Sequence, residues 1–473
     1  MAFKKQTQLS EIPITMAAAW TVLAFVVLCR GIMPAAGADP IPNNNGFISQ
    51  PLSRGDAISL GLRQNPNIVR AEKDLAATQG IVIQTRSIAM PKVRLTGNFT
   101  AVQLSDVDRP PNFPGFSFGS DKSWVSQVRL VQSIYEGGRI VSAVRAARLT
   151  QEQSVLNYQT TVANSILDIQ VAYDDALLAQ QQIVVQEASV ELLSRELSDT
   201  SRRFEAGTVP RFNVLRSEVE LANARPRLIR ARNSYRIAKN NLANLLGFDI
   251  PRDTLQDIPL QLVSKLESEP YDLELPRAIE LSLQKRSELA ALRKAQSLRQ
   301  EDVINARAGY KPSVQAFVGY DARSSLFRLN LTEEVHGWLA GAQLTWDLFD
   351  GGQTRGRVKE TSALYERAGV ELQDTGRRIE LEVRTAFSNF IESREVLESQ
   401  KKVMEQAEEA LRLARARSEA GTGTQLDVLS AQTALTEART TQLQALHDYS
   451  VARARLDRAT GVAAPEYSEK AIR

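Results

Sequence analysis

Side chains that commonly do chemistry are sparse in this sequence. Two histidines, His336 and His447, and one cysteine, Cys29, occur among 473 residues, too few for a His/Cys metal centre. Gly421-Thr422-Gly423 is a short glycine-flanked run, yet no lysine follows it at the spacing a phosphate loop requires. Acidic residues are plentiful but scattered, so no cluster proposes a hydrolytic site. One carboxylate has a definite local reading: Thr424-x-x-Asp427 has the spacing of a capping box, which satisfies backbone donors at the start of a helix. No catalytic, cofactor-binding or metal-ligating residue is assigned, and the sequence does not read as an enzyme.

The elements are more informative. Hydrophobic residues make up 43% of the chain and charged residues 24%, which excludes simple disorder. Aromatic residues are only 6%, a composition suited to long helices. Basic residues number 58 and acidic residues 55, interspersed rather than blocked, so no nucleic-acid footprint is present.

Lys4 and Lys5 precede an apolar run from Ala17 to Leu28, followed by Ala36-Gly37-Ala38. This predicts a secretory signal peptide over residues 1–38. The run is short of the ~20 residues a spanning helix needs. Leu28 before Cys29 argues against lipid attachment, which wants a small residue there. The mature chain then holds no cysteine, so packing and backbone pairing must stabilise it without a disulfide.

The rest of the chain is written twice. Tyr135-Glu-Gly137-Gly138-Arg matches Phe349-Asp-Gly351-Gly352-Gln at an offset of 214, which also aligns Phe204-Glu-Ala-Gly207-Thr208 with Ser418-Glu-Ala-Gly421-Thr422, and Val214-Leu215 with Val428-Leu429. Earlier in each copy the offset is 221, pairing Ala57-Ile58 with Ala278-Ile279 and Pro91 with Pro312. The change in length falls in one window, which should hold a loop. The expected organisation is an N-terminal segment over 39–53, a first repeat over 54–247, a Pro-containing linker over 248–275, a second repeat over 276–461 and a tail over 462–473.

Within each repeat the period changes twice. Helical spacing runs over about 54–89 and 276–309 and stops before Pro91 and Pro312. Period-two alternation follows, predicting hairpins over about 91–136 and 312–350. Val93, Leu95 and Phe99 share a face, as do Trp124, Val128, Leu130 and Ile134. The second copy repeats this with Val314, Ala316, Val318 and Tyr320, then Trp338, Ala340, Ala342, Leu344 and Trp346. Long helices are expected over about 140–205 and 354–419. Val155, Val162, Ile169, Ala176, Ile183, Val190 and Leu197 recur every seven residues, as do Val383, Phe390, Leu397, Met404 and Leu411, a pattern that keeps a seam against a partner helix. Helices of some 35 residues then return from turns at Gly207 and Gly421.

Four strands with one apolar face would expose both edges, and the smallest membrane barrels need about eight strands. Further copies of the chain are the natural source. Trp124, Trp338 and Trp346 near strand ends fit an aromatic girdle at a membrane boundary. The competing reading is a coiled-coil scaffold whose small soluble sheet caps a helical bundle.

The duplicated plan, with Tyr-Glu-Gly-Gly-Arg and Phe-Asp-Gly-Gly-Gln closing the hairpins, resembles the TolC family of outer-membrane factors over nearly the whole mature chain. The resemblance implies a mainly α protomer with a β-barrel portion, and a homotrimer forming a 12-stranded outer-membrane barrel and a 12-helix periplasmic tunnel. It implies an exit duct of a tripartite efflux pump or type I secretion system, in the cell outer membrane and extending into the periplasm. A periplasmic adaptor (membrane fusion) protein, an inner-membrane transporter and outer-membrane lipid would be its partners, with no nucleic acid and no cofactor. By similarity, Phe204, Gly207, Thr208, Leu215, Gly421, Thr422 and Leu429 belong to the periplasmic tip where an adaptor docks. Asp427 falls where the family carries an aspartate at the constricted entrance. Three copies around an axis would attract cations, although capping alone also explains the residue. The first repeat has Asn213 at that place, and Ser430 stands where some relatives have a second acid, so stacked acidic rings are not expected. Arg211 and Arg216 read as solvated surface charge.

Overall fold

The computed structural model describes residues 51–103, 122–248, 258–266, 268–324 and 334–462. The expected signal peptide, Cys29, most of the N-terminal segment and the C-terminal tail lie outside the described residues. So do the rim connection around Arg109, most of its counterpart before Glu334, and part of the linker. The chain divides into two compact units.

The first unit, Ser87–Gly137 with Tyr310–Leu348, holds a four-stranded antiparallel sheet. Its strands are β1 (Lys92–Ala101), β2 (Lys122–Glu136), β3 (Ser313–Ser324) and β4 (Glu334–Thr345), in spatial order β1-β2-β3-β4. Each repeat supplies a hairpin, and β2 pairs with β3 to join them. The connection spans 102–121 in the first hairpin and 325–333 in the second, so the length difference falls between strands. Register places Phe99 opposite Trp124, Leu95 opposite Val128 and Val93 opposite Leu130. It continues through Val128 to Tyr320 and from Tyr320 to Trp338. One face is therefore apolar and aromatic across all four strands. Arg94, Thr96, Asn98, Gln127, Arg129, Gln315, Asp321 and Gln343 lie on the other.

Two expectations for this unit change. Ile134, expected on the face of Val128 and Leu130, falls at a register shift, and Tyr135 instead pairs with Val314. An extra residue in one strand reverses the alternation beyond it. Trp346 follows the end of β4 rather than lying within it, and its Nε1–H donates to the Tyr310 carbonyl at 3.2 Å.

The second unit is helical. Its elements are α1 (Arg54–Gln64), α2 (Pro66–Arg86), α3 (Arg139–Glu205), α4 (Arg211–Leu245), α5 (Leu275–Lys285), α6 (Ser287–Arg307), α7 (Gln353–Glu419) and α8 (Gln425–Thr460). The long helices α3 and α7 each run 67 residues, about 100 Å at 1.5 Å per residue. Each packs along its own return helix, α3 on α4 and α7 on α8, while α3 also packs on α6 and α8. The seven-residue rows face these contacts: Val162, Ile169 and Ala176 are buried on α3, and Val383, Phe390, Leu397 and Leu411 on α7.

The helical runs expected over 54–89 and 276–309 are each broken once, at Asn65 and at Arg286. Pro66 explains the first break, because the residue before a proline is driven out of the helical region. Asn65 is buried there, with its Nδ2 donating to the Leu245 carbonyl at 2.8 Å and its Oδ1 capping Asn67 N–H at 2.8 Å. The second break, at the equivalent place in the other repeat, lacks a proline. Arg286 holds it by bonding Glu288 at 2.9 Å and Glu382 at 2.6 Å.

The linker is also more than a connection. Ile258, Leu260 and Leu262 are buried in the core with Ile58, Ile166, Ile169, Tyr173, Leu242 and Leu246. Leu52 N–H donates to the Gln261 carbonyl at 2.8 Å, and Tyr173 Oη–H donates to the Leu52 carbonyl at 2.8 Å.

Candidate functional site

The two helix reversals carry the residues singled out in the sequence. α3 ends at Glu205, where Gly207 N–H donates to the Phe204 carbonyl at 2.8 Å and Thr208 N–H to the Arg203 carbonyl at 2.9 Å. At the end of α7, Gly421 N–H donates to the Ser418 carbonyl at 3.2 Å and Thr422 N–H to the Arg417 carbonyl at 2.9 Å. These are paired Schellman closures, and each threonine hydroxyl adds a bond to the same carbonyl. They need a residue at positive φ after the cap: Gly207 has φ 74° and Gly421 φ 75°, where an L side chain is strained.

The return helices start differently. α4 begins after Pro210, which offers no side-chain cap, and Asn213 N–H bonds the Pro210 carbonyl at 3.0 Å. α8 begins with the expected capping box. Asp427 accepts from Thr424 N–H at 2.9 Å and from Thr424 Oγ1–H at 2.8 Å, while Thr424 Oγ1 accepts from Asp427 N–H at 3.2 Å. These bonds to the Thr424 backbone and hydroxyl, aided by Arg417, hold the Asp427 carboxyl below its ordinary pKa. It is an exposed carboxylate that stays ionised into acid. Ser430 bonds the Asp427 carbonyl through its hydroxyl.

One side chain ties the two reversals together. Gln425 Nε2–H donates to Ser217 Oγ on α4 at 2.9 Å, and also bonds Thr200 and Glu196 on α3. Beside it, the matched leucines have opposite fates. Leu429 is 4% exposed among Leu193, Leu221 and Ala224, whereas Leu215 is 48% exposed. Leu429 thus supports the turns from inside the chain, while Leu215 lies exposed on the surface of α4.

Sequence reasoning missed Phe212 and Val219. With Leu215 they lie at helical spacing on one face of α4, and all three are exposed, as is Phe204 nearby in the chain. The signal was the i, i+3, i+7 spacing of 212, 215 and 219 immediately after a turn. Arg211 and Arg202 are exposed beside this stripe and Arg216 is half-buried.

The remaining singled-out residues lie away from the reversals. Gly137 and Gly138 have φ 65° and 100°, and Gly351 and Gly352 have φ 66° and 90°, between the hairpins and the long helices. Asp350 accepts from Gly352 N–H at 2.9 Å and Thr354 N–H at 2.7 Å, capping α7, and bonding to Thr354 lowers its pKa. Trp338 is 81% exposed, edge-on to Tyr320 at 5.4 Å. Trp124, paired with Phe99, lies near the start of β2, and exposed Trp346 follows the far end of β4.

Comparison with known proteins agrees with this architecture. The alkaline protease secretion protein AprF of Pseudomonas aeruginosa is 25% identical over 412 residues, 86% of this chain and 84% of that protein. The outer membrane protein TolC of Vibrio cholerae is 25% identical over 402 residues, covering 83% and 86%. The crystal structure of the Campylobacter jejuni CmeC outer membrane channel matches with a TM-score of 0.76 at 17% identity, over 89% of this chain and 88% of that one. The family model described as outer membrane efflux protein matches twice, over residues 57–248 and 278–462. With the duplicated helix–hairpin plan, this match makes the chain a member of the outer membrane efflux protein family, the TolC-like channels of the outer membrane.

Proposed function

We propose that the chain is the outer-membrane exit duct of a tripartite efflux pump or type I secretion system. Three copies contribute four strands each to a twelve-stranded barrel, and their long helices line a periplasmic tunnel. Conduction is passive: an inner-membrane transporter supplies the energy, and no residue of this chain performs a chemical step.

The observation that carries this reading is the sheet. Its largely apolar, aromatic face crosses all four strands, interrupted by Ser126 and Gln132 on β2 and His336 on β4, while β1 and β4 each keep an unpaired edge within the chain. In a hydrocarbon layer every backbone donor and acceptor must be satisfied, which only closure of the ring achieves. A scaffold standing in water would instead leave that apolar face wet, so the pore reading is favoured.

At the periplasmic end, a helical adaptor would meet the stripe of Phe204, Phe212, Leu215 and Val219, with Gly207, Thr208, Gly421 and Thr422 giving close approach to backbone. Leu429 holds these turns in place. Asp427, ionised and exposed, would form a ring of three carboxylates that favours cations at the entrance; Asn213 stands in the matching place without charge. Outer-membrane lipid would cover the apolar face between Trp124, Trp338 and Trp346, and nucleic acid has no place in the reading.

The test is planar-bilayer conductance of the detergent-extracted protein, with oligomeric mass measured on the same sample. A conducting trimer is expected. A water-soluble protein that conducts no ions would remove the barrel and return the scaffold.

A further inference from the structure

The polar face of the sheet carries a charge arrangement that the duct reading leaves unexplained. Arg94 of β1 stands directly opposite Arg129 of β2. Like charges facing each other across a strand pair destabilise a sheet. Lys92 and Arg323 lie on the same face, and among the described residues none of these four cations makes an ion pair. The carboxylates on that face of the strands are Asp321 and, at the far end, Glu136. Cations are thus in excess.

The arrangement is built rather than incidental. The Arg129 guanidinium lies 5.1 Å from the centroid of the Phe317 ring, a stacking that fixes its plane. Phe317 has room because its cross-strand partner is Gly341, where a Cβ would fall 2.8 Å from the ring. The Nε of Arg129 is buried with no acceptor, which costs stability wherever it occurs. A repelling pair and a stacked, oriented guanidinium are together what an oxyanion would relieve.

We propose that Arg94 and Arg129, with Phe317 beneath, form an anion-binding girdle on the lumenal face of the barrel that takes small multivalent oxyanions such as phosphorylated or polycarboxylate solutes. This rests on the closed trimer proposed above, which repeats the girdle three times around one axis. The cations at the entrance and the anions in the barrel would be handled at separate places, so direct binding is a cleaner readout than ion selectivity.

The test is fluorescence anisotropy of the trisulfonate dye pyranine titrated with the purified full chain in detergent, with oligomeric mass and conductance measured in parallel. A trimer that binds the dye, and binds it less as salt is raised, is the expected result. Arg94→Gln/Arg129→Gln should weaken binding by ~10-fold or more, and Arg94→Lys/Arg129→Lys, which keeps the charge but loses the stacked planar fork, should fall between that variant and the unchanged chain. A conducting trimer whose dye binding ignores salt, or survives the double glutamine change, would overturn the girdle and leave the duct standing. A non-conducting monomer would overturn the duct and the girdle with it.

Discussion

Glu288 sits in a polar cluster to which four helices contribute. It accepts from Arg286 at 2.9 Å and from Arg458, whose Nε–H donates to Asn164 at 2.8 Å, while Arg286 also reaches Glu382. Burial alone would raise the Glu288 pKa, but the bonds from Arg286 and Arg458 outweigh it and hold the carboxyl at about 2, against an ordinary 4.5. A depressed carboxylate stabilises the folded state above its unfolded pKa and loses that contribution as pH falls from 4.5 toward about 2. The linkage is worth on the order of 2 kcal/mol after discounting for solvent screening of the partly exposed side chain. Glu288→Gln should therefore cost roughly 3 kcal/mol at neutral pH, because two nearly buried guanidiniums lose their shared partner. It should also flatten the acid limb of the urea-midpoint profile, and an unchanged limb would count against the linkage. At the start of α8, Asp427→Asn keeps a capping oxygen and removes the charge. Cation preference in bilayer recordings should fall with little change in stability, whereas Thr424→Ala should do the reverse. The Asp427 cap was legible because its partners lie three residues apart. The Glu288 cluster was not, because Asn164, Glu288, Glu382 and Arg458 meet only once the helices pack.

At the scale of elements, the two reversals share one backbone design but not one environment. Leu429 fills a pocket on α3 and α4, while Leu215 at the matched position faces outward. Leu429→Ala should cost about 2–5 kcal/mol, as large-to-small changes in a core do. Leu215→Asp combined with Val219→Asp should leave trimer mass and membrane insertion unchanged yet raise dye accumulation in cells that depend on the variant for efflux; normal efflux would remove the docking stripe. The long helices were legible because a seven-residue row persists over many turns in each copy, and the hairpins because alternation switches on sharply after Pro91 and Pro312. What the sequence hid were single-residue departures. The shift at Ile134 leaves a pattern that still alternates on paper, and the break at Arg286 has no proline to mark it. The burial of Ile258, Leu260 and Leu262 depends on distant partners that a proline-containing stretch does not advertise.

For the whole molecule, the sidedness of the sheet decides how it meets a membrane. Val318→Arg places a charge on the apolar face and should cost about 2–4 kcal/mol of barrel stability near mid-depth, so urea washing of outer-membrane fractions should release the variant. Gln127→Arg, on the opposite face, should stay in the pellet; equal release of both would mean the faces are assigned wrongly. The open edges of β1 and β4 have a further consequence for the life of the chain before assembly. A newly exported copy carries two templates for strand addition, each open to a stray strand as well as to the correct neighbour. Productive closure and misassociation then compete in a crowded envelope, and both accelerate with the number of unassembled copies. The rate of supply, as well as the durability of the product, then sets the fraction of copies that reach the finished ring.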